Sequence, residues 1–487
     1  MKALLFNCNK EMNFLAVKRI FTIFWITICC SAGIFGQSIS KDSVTVSPFG
    51  KVFVYHALDA TPENIIIMIS GDGGWKFGVT EFAREFARMK SIVVGVDILR
   101  YNRHLRQQKT ECYMISSDFV ELAAAIERKY NFQGYIPPVV MGYSSGATLV
   151  YGILAQARPG TFIGGISLGF CPDFELPQML CQVNGLEEKE IVKGKSYMYL
   201  PDPRLGNPWI ALHGPLDKVC DFKTVSDFVQ KTANAKLVTL PGVGHGFSKW
   251  SNFMPQWKLA YNELILKYSE SQTKSSELPK IDDIPCVITR EKTPADSDII
   301  AVLFSGDGGW YGFEQSISNR LANKGISVLG IDTRKYFWNR RTPEKTASDI
   351  SDLLNYYGKI WKKSRYLLMG YSQGAEIVPF VLSRLPDELK SRVVSTVMLS
   401  PAINTDFQVH ITNMLGLGNR QNTYNVITEI SEIQSTRQII IFGENEKTEV
   451  PELLKSKPVE IVRIPGDHHY KSNTALIVQK MEEEKAF

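Results

Sequence analysis

The chain has 487 residues, 44% of them hydrophobic and 22% charged, and a formal net charge of +5. That length has room for two good cores. The composition is that of an ordinary globular protein and leaves no large disordered region. So small a charge predicts no nucleic-acid partner and allows only a weak preference for anionic surfaces.

Lys18 and Arg19 precede an apolar run over residues 20–30, followed by the small residues Ser31, Ala32, Gly33 and Gly36. A basic start, a short apolar core and a small-residue exit describe a secretory signal peptide over 1–36. The run is shorter than the roughly 20 residues of a membrane span, so an uncleaved anchor is the secondary reading. The mature protein is expected to begin near Gln37 in the periplasm. Eight cysteines then reduce to five, namely Cys112, Cys171, Cys181, Cys220 and Cys286. The compartment permits disulfides, and the expected pairs are Cys171 with Cys181 and Cys112 with Cys220. No Cys/His cluster has ligand spacing, so neither a metal nor a cofactor is implied.

From residue 37 the chain reads as apolar strands separated by helical stretches. Strands are expected over 65–69, 92–96, 139–141, 166–169, 209–213 and 237–240. Strands alternating with helices argue a mostly parallel sheet with helices on both faces. A first domain over 37–268 is followed by a polar linker over 269–282. A second domain over 283–487 repeats the pattern, with strands over 299–304, 327–331, 366–369, 394–399, 438–442 and 459–464.

Two motifs occur twice. Ser70-Gly71-Asp72-Gly73-Gly74-Trp75 returns as Ser305-Gly306-Asp307-Gly308-Gly309-Trp310, and Gly142-Tyr143-Ser144-Ser145-Gly146 returns as Gly370-Tyr371-Ser372-Gln373-Gly374. The loops are 235 residues apart (72 to 307) and the serines 228 (144 to 372). Nearly equal offsets mean two homologous units in tandem. The second motif fits G-x-S-x-G between a strand and a helix, the nucleophile elbow of α/β-hydrolases.

A serine hydroxyl needs a base and a group that orients the base. In this fold they follow the serine in the order acid, then histidine. After Ser144 the expected partners are Asp217 and His245, each just past a strand end, where open α/β sheets carry their sites. After Ser372, alignment on the glycines gives Glu446 and His469, with Glu444 and His468 as competitors. The glycine-rich turns Gly71-Asp72-Gly73-Gly74 and Gly306-Asp307-Gly308-Gly309 occupy the place of the oxyanion loop. Backbone N–H groups of Ser145 and Gln373 would be the other donors. Asp72 and Asp307 could equally serve only to pin their turns. A third segment, 332–341, mixes Arg334, Lys335, Arg340 and Arg341 with Tyr336, Phe337 and Trp338. It is the expected contact for an anionic membrane surface, the other reading being a loop packed on its own domain.

Together these residues resemble the VirJ/AcvB family of bacterial periplasmic proteins. The resemblance rests on the Gly-Asp-Gly-Gly-Trp loops, the Gly-Tyr-Ser-x-Gly elbows, segment 332–341, Ser400-Pro401-Ala402 and the Pro-Gly-x-His-His ending. It spans essentially the whole mature chain, in the tandem arrangement of AcvB. It implies an α/β-hydrolase fold, export, and, for AcvB-type members, hydrolysis of lysyl-phosphatidylglycerol with Ser372 carrying the principal activity. VirJ itself implies an association with type IV secretion. The expectation is therefore a serine esterase acting on an acyl or aminoacyl ester of a membrane lipid or a small ester. The alternative from another class is a non-catalytic binding protein that presents a secretion-system or envelope partner.

Overall fold

The structure, a computed structural model, describes residues 38–75, 79–108, 112–275, 284–292, 297–310, 312–409, 424–470 and 473–487. The signal-peptide reading and residues 276–282 of the linker lie outside them. The first sheet contains Ile39–Val46 (β1), Gly50–Ala57 (β2), Asn64–Ile69 (β3), Ser91–Val96 (β4), Val139–Tyr143 (β5), Gly164–Leu168 (β6), Trp209–His213 (β7) and Ala235–Thr239 (β8). Their order is β1-β2-β4-β3-β5-β6-β7-β8. β1 and β2 pair antiparallel, β2 meets β4 antiparallel, and every later pair is parallel.

The second sheet repeats this order without the outermost strand. It holds Cys286–Thr289 (β9), Ile299–Phe304 (β10), Ser327–Ile331 (β11), Arg365–Tyr371 (β12), Val393–Leu399 (β13), Arg437–Gly443 (β14) and Glu460–Ile464 (β15). Its order is β9-β11-β10-β12-β13-β14-β15, with β9 alone antiparallel.

Central strands are buried along their whole length: all six residues of β4 and of β10 are buried. Continuous Ile/Val/Leu runs suit them, because helices cover both faces of a parallel sheet. Each sheet accordingly has two apolar clusters, one per face. The repeated tryptophan explains a repeated glycine. A Cβ on Gly95 would lie 2.1 Å from the Trp75 ring, and one on Gly330 2.1 Å from Trp310. The indole of each Gly-Asp-Gly-Gly-Trp loop thus lies flat on the neighbouring strand where no side chain fits.

The helix that closes the first domain, Met254–Ser275, runs through the first half of the expected linker. The polar residues there extend the helix rather than end it. Among the described residues no helix is long and apolar enough to cross a membrane.

Segment 332–341 is where the structure departs most from expectation. Asp332 caps a one-turn helix, Thr333–Tyr336, by accepting from Lys335 N. Arg334 is 3% exposed, donating to Asp307 O at 2.9 Å and pairing with Glu121 of the first domain at 2.9 Å. Trp338 is 1% exposed beside Ala124 and Tyr135, with its Nε1 donating to Phe132 O and the Arg128 guanidinium 3.8 Å from its ring centre. Lys335 pairs with Asp332, Arg340 with Asp406 and Arg341 with Asp349. The segment is therefore the joint between the domains, not a free cationic face for lipid headgroups. Trp338 is buried by the first domain, Tyr336 and Phe337 belong to the second domain's own core, and the cations are matched by carboxylates.

Candidate active site

Both elbows are built alike. Ser144 has φ 54° and ψ −123°, and Ser372 φ 51° and ψ −121°. This is backbone strain of order 1–3 kcal/mol that persists because the surroundings over-determine it. A Cβ on Gly146 would lie 2.5 Å from Ser70 O, and one on Gly374 2.4 Å from Ser305 O. Only glycine lets each elbow helix, Ser145–Gln156 or Gln373–Arg384, start that close to the neighbouring strand.

In the first domain Ser144 Oγ lies 2.9 Å from His245 Nε2, and His245 Nδ1 lies 2.8 Å from Asp217 Oδ2. Asp217 Oδ1 accepts from Val219 N and Cys220 N. Burial works against the ionised carboxylate, but these N–H groups and the His245 ring together hold it below the usual aspartate range. The three residues named from the sequence are brought together as expected.

In the second domain the histidine is His468, not His469. Its Nε2 lies 3.1 Å from Ser372 Oγ and its Nδ1 2.8 Å from Glu446 Oε1. His469 turns away and bonds Tyr371 Oη through Nδ1 at 2.7 Å. The physical reason lies in the turn. Phe247 N donates to Gly244 O, and Tyr470 N donates to Asp467 O; Phe247 and Tyr470 both have positive φ. In both turns the residue after the acceptor is the one beside the serine. The first domain has one more residue between its Pro-Gly and this turn, so aligning on those glycines displaces the histidine by one.

Glu446 is the acid. Glu446 N bonds Gly443 O just as Asp217 N bonds Gly214 O, each at 3.1 Å, whereas Glu444 is exposed. Glu446 Oε2 accepts from the Ser400 hydroxyl at 2.6 Å, and Ser400 is in turn bonded to Tyr470 Oη. Burial raises the carboxyl, but the His468 and Ser400 bonds outweigh it and hold Glu446 low. Its bond to Glu446, set against burial, holds the His468 ring above the usual histidine range. Ser400 was visible only as part of Ser400-Pro401-Ala402; its contact with the acid was not.

The glycine turns lie against the serines. A Cβ on Gly71 would be 3.1 Å from Ser144 Cβ, and one on Gly306 3.6 Å from Ser372 Cβ. Asp72 and Asp307 are exposed, and Gly74 and Gly309 close their turns by bonding Gly71 O and Gly306 O. Gln373 Nε2 donates to Asp406 O, and the Ser145 hydroxyl is buried without a partner. Gly73 and Gly308 complete the turns.

The disulfides are Cys112–Cys181 and Cys171–Cys220, not the expected pairs. Cys171 follows β6 and Cys220 follows the acid turn after β7, and β6 and β7 are neighbours. Spacing along the chain, which favoured Cys171 with Cys181, carries no such information. Donor atoms of Asp217, Cys220 and His245 lie within 4.8 Å of one another, but the sulfur is tied to Cys171 and the other two are bonded together.

Two strand–serine–helix elbows on mostly parallel sheets, each with a histidine and an acid after later strands, define an α/β-hydrolase-fold protein with two Ser–His–acid constellations. The family model "Bacterial virulence protein (VirJ)" matches residues 63–159 and 298–486, more than half of the chain. The chain belongs to the VirJ family. No curated protein matches it. Among solved structures it is similar to a dienelactone hydrolase from Anabaena variabilis ATCC 29413, at 17% identity over 46% of this chain and 95% of that one, with a TM-score of 0.33. It is also similar to Est1E from Butyrivibrio proteoclasticus, at 14% identity over 46% and 99%, TM-score 0.31. A third is an alpha-beta serine hydrolase homologue from Coxiella burnetii, at 14% identity over 41% and 90%, TM-score 0.29.

Proposed function

We propose that the protein is a serine ester hydrolase whose principal nucleophile is Ser372. The observation that carries this reading is the Ser372–His468–Glu446 chain of hydrogen bonds opening on a cavity of about 850 Å³. Ser372 Oγ attacks the ester carbonyl carbon while His468 Nε2 takes its proton. The resulting imidazolium is steadied by Glu446. The oxyanion faces the N–H of Gln373 and the 306–309 turn, where fixed donors stabilise developing charge. Collapse expels the alcohol with the proton from His468, and a water activated by the same ring releases the acid. Ser144, His245 and Asp217 form a second centre with Ser145 and the 71–74 turn in the same roles.

The substrate class we propose is an acyl or aminoacyl ester of a membrane lipid, lysyl-phosphatidylglycerol being the member that the VirJ/AcvB resemblance suggests. Two disulfides among the described residues support work in an oxidising compartment such as the periplasm. The test is turnover of a nitrophenyl ester and of lysyl-phosphatidylglycerol by purified protein. In a Ser144→Ala background, Ser372→Ala should lower the rate roughly 10⁴-fold. Each serine changed alone should show Ser372→Ala removing most of the lipid-directed turnover and Ser144→Ala less. Full turnover by Ser372→Ala, or none by the parent protein, overturns the reading.

A further inference from the structure

The cavity above Ser372 belongs to both domains. Gly306, Asp307, Ser372 and His468 line one side; Met114, Val120, Arg158 and Val183 are among the first-domain residues that line the other. The two sides differ in chemistry. The second-domain side carries the nucleophile, its base and the carboxylates of Asp307 and Asp467. On the first-domain side the charged groups are engaged across the joint, Glu121 by Arg334 and Arg158 by Glu314. Met114, although apolar, is 43% exposed there.

This wall is rigidly made. Gln156 is 1% exposed; its Oε1 accepts from Ser116 N, and its Nε2 donates to Tyr113 O and Cys181 O. Its backbone oxygen accepts from Asn184 Nδ2, and the Cys112–Cys181 disulfide ties the same two segments. A buried amide satisfied on several sides fixes the strands of chain it joins. The segment with Met114 and the segment with Val183 are thus held together, facing the serine of the other domain. Residues 181–184 lie between the two stretches that match the family model, so this part of the wall is not described by that match.

We infer that the first domain supplies the specificity wall of the second domain's active site, with Met114, Val120 and Val183 holding the apolar part of the ester whose carbonyl lies at Ser372. The inference rests on the ester-hydrolase reading above. The occupant is set by the cavity's continuity with the nucleophile: an ester held at Ser372 must direct one of its two arms across the joint, where Met114, Val120 and Val183 offer apolar contacts between polar side chains such as Ser117, Thr161 and Asn184. Selectivity for a long-chain ester over a short one is therefore a property of the first domain, although the bond breaks on the second.

The test uses the full chain with Ser144→Ala, so that turnover reports Ser372, and compares nitrophenyl laurate with nitrophenyl acetate. Met114→Glu, at an exposed position, and separately Val183→Glu should each lower the laurate-to-acetate ratio of kcat/KM roughly tenfold or more. Acetate turnover in the same samples reports folding. A ratio within about twofold of the parent in both variants overturns the inference alone. A parent that cleaves neither ester overturns the ester-hydrolase reading, and this inference with it.

Discussion

The two domains carry the same device with different parts. In the first, Asp217 is anchored by two backbone N–H groups; in the second, Glu446 is anchored by the Ser400 hydroxyl. The position of Ser400, whose N bonds Ile441 O, is Gly169 in the first domain, whose N bonds Leu212 O. A longer acid thus comes with a side-chain hydroxyl where the shorter one has only glycine and backbone donors. The histidine turns differ by one residue in their approach but not in their hydrogen bonding. What is held constant between the domains is the place of the imidazole, and turn geometry, not motif spacing, secures it.

The segments after β4 and β11 diverge further. Asp97 and Asp332 both cap a following helix, and Ser70 and Ser305 both accept from its first N–H groups. Beyond that, the first is a helix, Ile98–Leu105, on its own domain, while the second is the joint. Trp338→Ala should cost about 3 kcal/mol of stability in denaturant unfolding, the ordinary cost of truncating a buried tryptophan. Arg103→Ala, at the matching exposed position, should change it by less than about 0.5 kcal/mol. Equal effects would remove the distinction between joint and surface.

A smaller effect separates Ser372 from an ordinary histidine-assisted serine. The imidazole must be neutral to accept the serine proton, so turnover falls as pH drops through the His468 pKa. Glu446 holds that pKa up. The acid limb for the Ser144→Ala protein should therefore lie above about 6.5, the ordinary histidine value. A limb below it would mean that Glu446 does not act on the ring in solution.

Much of this was legible because the chain states its plan twice. Buried runs such as 65–69 and 299–304 give strands by composition, the paired elbows give both serines, and the later strand ends give Asp217, His245 and Glu446. His469 was preferred to His468 because an alignment on glycines counts residues and cannot count turns. The disulfides were misread because pairing depends on which strand ends are neighbours. Segment 332–341 reads equally as a membrane face or as a loop packed on its own domain, because cations beside aromatics look alike whether lipid or protein covers them. Only the placement of Glu121, Phe132 and Tyr135 opposite Arg334 and Trp338 tells the two apart.

The central claim, that Ser372 is activated by His468 and not by its neighbour, is tested most directly by a fluorophosphonate probe, which labels activated serines, with labelled peptides located by mass spectrometry. Ser372 should be labelled in the parent protein and in His469→Ala, and the labelling should be lost in His468→Ala. Labelling that survives His468→Ala and disappears in His469→Ala, or that never reaches Ser372, would contradict it.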